Sequence, residues 1–305
     1  MHRIRERCGG GLPGRLDVKI AVVSPHRDDA ALSLGLSIGA WIEAGHSVTV
    51  VNCFTRSEYA PFSDADSLHA NDRLHYVTAL RLREDVAWQK QYPGRLTLHD
   101  LNLKDAPLRL HCGLDEVCGR AVNPVDKAFV KIPKALEGLR VDALVLPLAL
   151  GAHVDHVTAR DAAIQFVTAR GDVASGAAAD AKSAVADDGA AIACAFYEDL
   201  PYAARLGAVY QIEPLAAGLG MQLAPVFGGQ LGSAGEPWDV AAAVKRKRRL
   251  ALCYDSQIDD EMIDAVASFC ERYDGRERLW ANAAWRASNL GEAEPEASAC
   301  EGERR

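Results

Sequence analysis

The chain has no excess of positive charge, no C-x-x-C pair and no long apolar run, and each absence removes a class of function. Its 34 basic and 42 acidic residues leave a formal net charge of -8. Nucleic-acid binders usually carry a basic excess, so no nucleic-acid partner is expected. The one basic run, residues 245–249, lies in a stretch with helical spacing and reads as a solvated helix face. The 8 cysteines are scattered. Cys53, Cys194 and Cys270 sit in apolar runs, where a thiol acts as a small hydrophobe. His111, Cys112 and Cys118 stand close together, but their spacing is wrong for the common zinc knuckles. The opening MHRIRERCGGGLPGR has no apolar core, which speaks against a signal peptide. No stretch approaches the roughly 20 apolar residues of a membrane span. The expectation is a soluble, cytoplasmic protein with reduced thiols, its homo-oligomeric state left open.

What is present is ordinary globular material, 49% hydrophobic and 25% charged. Strands and helices alternate, with no internal repeat. Residues 18–24 (VKIAVVS), 47–54 (SVTVVNCF) and 141–148 (VDALVLPL) are short, nearly continuous apolar runs, as expected of strands buried on both faces. Residues 96–101 and 191–196 are further strand candidates. Helices are expected over 31–44, 72–90, 124–139, 157–169 and 238–253. Residues 171–190 are rich in Ala, Gly and Asp and poor in large apolar groups, so they read as a mobile surface insertion. Residues 1–16 and 288–305 read as disordered tails. A single α/β domain over 17–287, Rossmann-like, three-layered and with a mostly parallel sheet, is the economical reading.

Chemistry gathers after two of the buried strands. Ser24-Pro25-His26-Arg27-Asp28-Asp29-Ala30 follows the first, and His153-Val154-Asp155-His156 follows 141–148. Open parallel sheets bind ligands beyond the carboxyl ends of their strands. Imidazole and carboxylate are the usual zinc ligands where Cys is absent, and a catalytic zinc keeps three of them plus an open position. The two motifs offer more than three candidates. Hydrolysis also needs a base for water's proton and a donor for the oxyanion. Of two adjacent aspartates, one is therefore expected to bind metal and the other to manage the proton. Plainer readings exist for each part. Either aspartate can cap the following helix, and the histidines can be surface loop residues. Arg81 can pair with Glu84 or Asp85 at helical spacing, and Tyr197 and Tyr202 can be packing residues.

SPHRDDA followed far downstream by HVDH resembles the PIG-L/LmbE-like family of zinc-dependent N-deacetylases, which act on N-acetylglucosamine conjugates and related amino sugars. The resemblance implies one zinc per chain held by His26, Asp29 and His156 at the carboxyl ends of the strands. It makes Asp28 the general base. It makes His153 the group that polarises the amide carbonyl and protonates the leaving amine, with Asp155 tuning it. Arg81-Leu82-Arg83-Glu84 is similar to the family's R-x-x-E, whose Arg reaches the site. Tyr254-Asp255-Ser256-Gln257 is similar to a recurrent Y-x-S-Q. The stretch Tyr197-Glu198-Asp199-Leu200-Pro201-Tyr202 resembles one that lines the pocket, so Arg81, Tyr197 and Tyr202 are the candidate substrate contacts. The likeness spans about residues 18 to 260. Ala30 stands where the family has Glu, and Arg27 where it has Pro. The implied substrate is an N-acylated, expectedly N-acetylated, amino sugar or glycoconjugate from antibiotic, thiol-cofactor or polysaccharide biosynthesis.

Three rival classes stand against this reading. A nucleotide-binding α/β enzyme needs G-x-G-x-x-G between the first strand and helix. PHRDDA occupies that place, and two aspartates there repel a pyrophosphate. A non-enzymatic metal- or sugar-binding module would bind zinc without turnover. A serine hydrolase needs G-x-S-x-G, and the expectation is that the chain lacks it.

Overall fold

The computed structural model describes residues 17–176, 192–206, 212–218, 220–230, 239–288 and 290–293. The expected tail 1–16 and most of the expected insertion lie outside them. The first half alternates: β1 (Lys19–Ser24), α1 (Asp29–Glu43), β2 (Ser47–Asn52), α2 (Ala70–Gln89), β3 (Leu96–Asp100), α3 (Ala106–Leu110), α4 (Ala128–Leu139), β4 (Ala143–Pro147), α5 (Val154–Gly176) and β5 (Ala193–Tyr197). The second half adds α6 (Tyr202–Leu206), α7 (Ile212–Gly218), β6 (Ala224–Gly228), α8 (Val240–Ala251), α9 (Asp260–Ser268), β7 (Glu277–Ala281), α10 (Ala283–Ala287) and β8 (Glu292–Ala293). No helix among the described residues is long and apolar enough to cross a membrane.

All eight strands form one sheet in the order β3-β2-β1-β4-β5-β7-β6-β8. The first five are mutually parallel, as their continuous apolar character implies. Side chains alternate between the faces of β1. Ile20 and Val22 pack in one core with α1, Trp88 of α2 and Leu250 of α8, while Ala21 and Val23 pack in the other with Ile132 of α4 and Ala163 of α5. This is the expected three-layer α/β arrangement. The chain leaves β1 toward β2 on one side and reaches β4 on the other, so the topological switch point lies between β1 and β4. Both histidine motifs follow these two neighbouring strands, and that adjacency brings them together.

Several boundaries differ from expectation, each for a local reason. Helix α1 begins at Asp29 rather than at residue 31, which puts Asp29 in the first turn. Helix α5 runs to Gly176, seven residues past the expected end, into the segment expected to be an insertion. Residues 290–293, expected in the tail, join the sheet: β8 pairs with β6, and the Leu290 carbonyl accepts from Trp41 Nε1 at 2.7 Å. The far edge of the sheet is antiparallel. The basic run on α8 is not wholly solvated either. Lys247 is buried, pairs with Glu277 and donates to the Ser33 carbonyl, because Glu277 already accepts the backbone N–H groups of Leu36 and Ser37. Cys53, Cys194 and Cys270 are buried, as small hydrophobes should be. Gly35-Leu36-Ser37-Ile38-Gly39 spells G-x-S-x-G, but it lies inside α1 with Ser37 buried, so it forms no nucleophile elbow.

Candidate metal centre and active site

The turn between β1 and α1 is built around the Ser24 hydroxyl. It donates to the His26 carbonyl at 2.5 Å and accepts from Ala30 N at 3.1 Å. Asp28 occupies the N-cap position without a side-chain capping bond. Its carboxylate instead meets Arg81 of α2 at 2.7 Å, so Arg81 does not spend itself on Glu84 or Asp85. Asp29 accepts from His26 N at 2.7 Å. Its place in the first turn of α1 favours the anion, because the helix N-terminus is positive. Arg27 is buried and pairs with Asp85 of α2 at 2.7 Å and Asp100 of β3 at 2.6 Å, which ties this turn to two further elements. Ala30 packs into the core with Leu34 and does not line the cleft.

His156 lies in the first turn of α5 and His153 just before it, at an extended φ/ψ of -63° and 127°. The side chains of His26, Asp29 and His156 converge, each offering one ligand atom within 4.8 Å of the others. Asp29 Oδ2 lies 3.4 Å from His26 Nδ1 and 3.3 Å from His156 Nε2. Ligand atoms around a tetrahedral zinc, at bond lengths of about 2.0–2.1 Å, stand roughly 3.3–3.4 Å apart. The spacing therefore suits a shared cation better than two direct hydrogen bonds. His156 Nε2 is buried and has no hydrogen-bond partner. An orphaned imidazole nitrogen aimed at a carboxylate and a second imidazole fits a divalent metal.

Each imidazole turns its other nitrogen to a second carboxylate. His26 Nε2 meets Asp155 Oδ2 at 3.0 Å, and His156 Nδ1 meets Asp199 Oδ1 at 2.6 Å. Such partners fix ring orientation and tautomer in metal sites. Asp155 acts on His153 through its charge, which favours the imidazolium, and not through a side-chain bond. Its carboxylate bonds His26, Ala106 N at 2.8 Å and Arg109 at 2.7 Å, not the His153 ring. Only its backbone N–H reaches His153, donating to Nδ1 at 3.2 Å. That bond leaves the proton of neutral His153 on Nε2. A second possible grouping, His26 with His153 and Asp155, is weaker, because the Asp155 carboxylate is already neutralised by Arg109.

The electrostatics agree. Burial works against protonated His26, but hydrogen bonds to Asp155 and Asp29 outweigh it and push the ring up to about 10. Burial likewise opposes protonated His156, and the charge of Asp29 with the bond to Asp199 raises it. Burial disfavours ionised Asp29, yet His156 and His26 hold its carboxyl well below the usual carboxylate range. Protons collect where a cation would sit, and metal must displace them. His153 goes the other way, down to about 3, through burial and repulsion from His26 and His156. The charges of Asp155 and Asp29 oppose that shift and favour the imidazolium.

The cluster forms the floor of a cleft of about 410 Å³. Asp28, Arg81, His153, Tyr202 and Gln257 line it. The Tyr202 ring lies edge-on to His156 at 5.3 Å. Gly151 lets it approach: φ is 78°, and a Cβ there would meet the Tyr202 ring at 2.5 Å. Tyr197 is the misplaced member of the expected set. It is fully buried, and its hydroxyl donates to the Val23 carbonyl at 3.1 Å, so it cannot touch substrate. Sequence reasoning missed Asp199 and Arg109. Asp199 stood two residues beyond a strand, the same signal that marked the other motifs. Arg109 carried no signal, since only the folded chain brings α3 beneath Asp155. Neither possible metal grouping includes Cys112 or Cys118.

A family model described as PIG-L, GlcNAc-PI de-N-acetylase, matches residues 21–167. The 2'-N-acetylparomamine deacetylase of Streptomyces fradiae is 28% identical over 280 residues, covering 91% of this chain and 84% of that protein. Among solved structures, the A40926 pseudoaglycone deacetylase is similar with a TM-score of 0.57 at 21% identity, covering 87% of this chain and 97% of that one. A zinc-inhibited form of teicoplanin deacetylase is similar with a TM-score of 0.54 at 20% identity, covering 87% and 97%. The structural likenesses establish a shared fold.

Proposed function

We propose, from the match of residues 21–167 to the family model described as PIG-L, GlcNAc-PI de-N-acetylase, that the chain is a zinc-dependent hydrolase that removes the N-acetyl group from an amino sugar or glycoconjugate. The observation that carries the reading is the triad His26, Asp29 and His156 on a cleft floor beside the Asp28 carboxylate. The triad would hold one ion per chain. Zinc suits two imidazoles and one carboxylate. A bound divalent cation supplies Lewis acidity, which makes water a better nucleophile and the amide carbonyl a better electrophile.

The remaining chemistry belongs to the chain's own residues. Asp28, held by Arg81, takes the proton from water as the new C–O bond forms. The former carbonyl oxygen gains negative charge, and His153 Nε2–H donates a hydrogen bond to it. The C–N bond then breaks. Asp28 returns the proton to the departing amine, which gives acetic acid and a free amine, and the acid's remaining proton passes to the more basic amine, so acetate and an ammonium group leave. Arg81 and Tyr202 flank the substrate, and the 2'-N-acetylparomamine deacetylase makes an N-acetylated amino sugar the substrate class to test first.

Acetate and free-amine release from a panel of N-acetylated amino sugars is the test. Turnover that a chelator abolishes and zinc restores is expected. Teicoplanin deacetylase has a zinc-inhibited form, so the ion is titrated from substoichiometric amounts upward. No release from any member, with metal bound, would overturn the reading in favour of a binding module.

A further inference from the structure

We propose that the outer wall of the cleft is a subsite for an uncharged aromatic or apolar group attached to the amino sugar; this rests on the deacetylase reading. The cleft changes character with depth. Its floor is polar and buried, with Asp29 and His156 at 4% and 0% exposure. Its rim carries Tyr59, Phe62 and Leu114, exposed by 42%, 52% and 56%. Among the described residues, Tyr59 and Phe62 are the two large exposed aromatics, and both line this one cleft. Scattered exposed apolar residues need no explanation, but convergence on a pocket does.

These rim residues are held in place. Tyr59 N donates to Ser57 Oγ at 3.0 Å, and Phe62 N donates to the Ser256 carbonyl at 3.2 Å. In the same lining, the short turn bearing Leu114 is closed by Gly113 N donating to Glu116 Oε2 at 2.7 Å. The Val117 carbonyl, three residues on, accepts from Val154 N at 2.9 Å, beside His153. An apolar wall preset at the site costs little ordering when a ligand arrives. Its area removed from water on binding is the source of affinity.

The charges of the cleft argue against a polycationic neighbour for the sugar. Asp28 is paired with Arg81, and Asp29 faces two imidazoles. Asp105 accepts from Leu108 N and Asp259 from Met262 N, each capping a helix. Arg205 adds a positive charge to the same rim. Among the described residues, no cluster of uncommitted carboxylates awaits a polyamine.

The experiment compares a 4-nitrophenyl glycoside of N-acetylglucosamine with its methyl glycoside, by acetate release from the zinc-loaded protein. A kcat/KM ratio of about tenfold or more in favour of the aryl glycoside is expected, in line with partial burial of an aromatic ring. Phe62→Ser and Leu114→Ser, both at exposed positions where folding is insensitive, should each move the ratio toward one. Calorimetric binding of the matching deacetylated glycosides reads the same preference without turnover. A ratio near one in the parent, or one unchanged in both variants, would overturn the subsite while leaving the deacetylase standing. Aryl-selective binding that the variants lose, with no acetate released from either glycoside, would keep the subsite and remove the deacetylase.

Discussion

His26 and His156 each turn one ring nitrogen toward Asp29 and the other toward a carboxylate, but the two carboxylates live in different surroundings. Asp199 is fully buried, and among the described residues its carboxylate receives, beyond His156, only Leu150 N at 3.2 Å. Burial raises its pKa, opposed by the bond and charge of His156. Asp155 is equally buried, yet it receives Arg109 and Ala106 N besides His26. Burial alone would raise it; the His26 hydrogen bond and the charges of His26 and Arg109 bring it below its ordinary value. Arg109 is itself braced by Asp126 at 3.0 Å and lies over the Phe54 ring at 4.6 Å. One arm of the site thus has a charge-balanced scaffold behind it, and the other depends on the imidazole it holds. A buried carboxylate lacking an independent cation is costly unless its one partner stays.

Perturbing the arms should expose this asymmetry. Asp199→Asn should give the largest effect, weakening metal binding by about 10–100-fold, the range for partners of metal-bound histidines. Asp155→Asn should cost less affinity, because Ala106 N and Arg109 can still hold the amide oxygen; competition against a chromogenic chelator measures both. Equal losses would remove the asymmetry. Arg109→Met should come next. Its effect should largely vanish in an Asp155→Asn background, since it acts through that carboxylate; a double-mutant cycle of metal affinities reads this coupling. Full additivity would mean that Arg109 acts elsewhere. The smallest effect belongs to Tyr197→Phe. Its hydroxyl braces the end of β5 against β1, the strands that present Asp199 and His26. Losing that one hydrogen bond should cost about 1 kcal/mol in denaturant unfolding, with metal affinity retained. A drop in metal affinity larger than that in Asp155→Asn would make Tyr197 part of the site after all.

The contrast between the two arms also explains what the sequence could disclose. Residues 18–24 and 141–148 announced themselves because strands buried on both faces must be continuously apolar, and the motifs after them followed from where parallel sheets bind ligands. Those features led to His26, Asp28, Asp29, His153 and His156 gathered at one cleft. The antiparallel edge was silent. Strand β7, Glu277–Ala281, alternates in burial, but its first buried position is an acid that serves Lys247 and the amides of α1, so the sequence does not show the alternation. The family resemblance made Asp155 the group that tunes His153. In the first turn of α5 its carboxylate bonds His26, on another strand's turn, and acts on His153 only through its charge. Tyr197 was read as a pocket residue from its company in the chain, whereas it ends β5 with its hydroxyl buried against the Val23 carbonyl, and Tyr202, which opens α6, lies at the cleft.

The central claim is that His26, Asp29 and His156 hold one divalent metal while the adjacent Asp28 serves the proton. Metal content per chain, measured on purified parent and variants after equilibration with zinc and removal of free ion, tests it most directly. The parent should carry one ion. His26→Ala, Asp29→Ala and His156→Ala should each lose it, whereas Asp28→Asn should keep it and lower turnover by about 10²-fold or more. A full complement of metal in Asp29→Ala, or its loss in Asp28→Asn, would contradict the assignment.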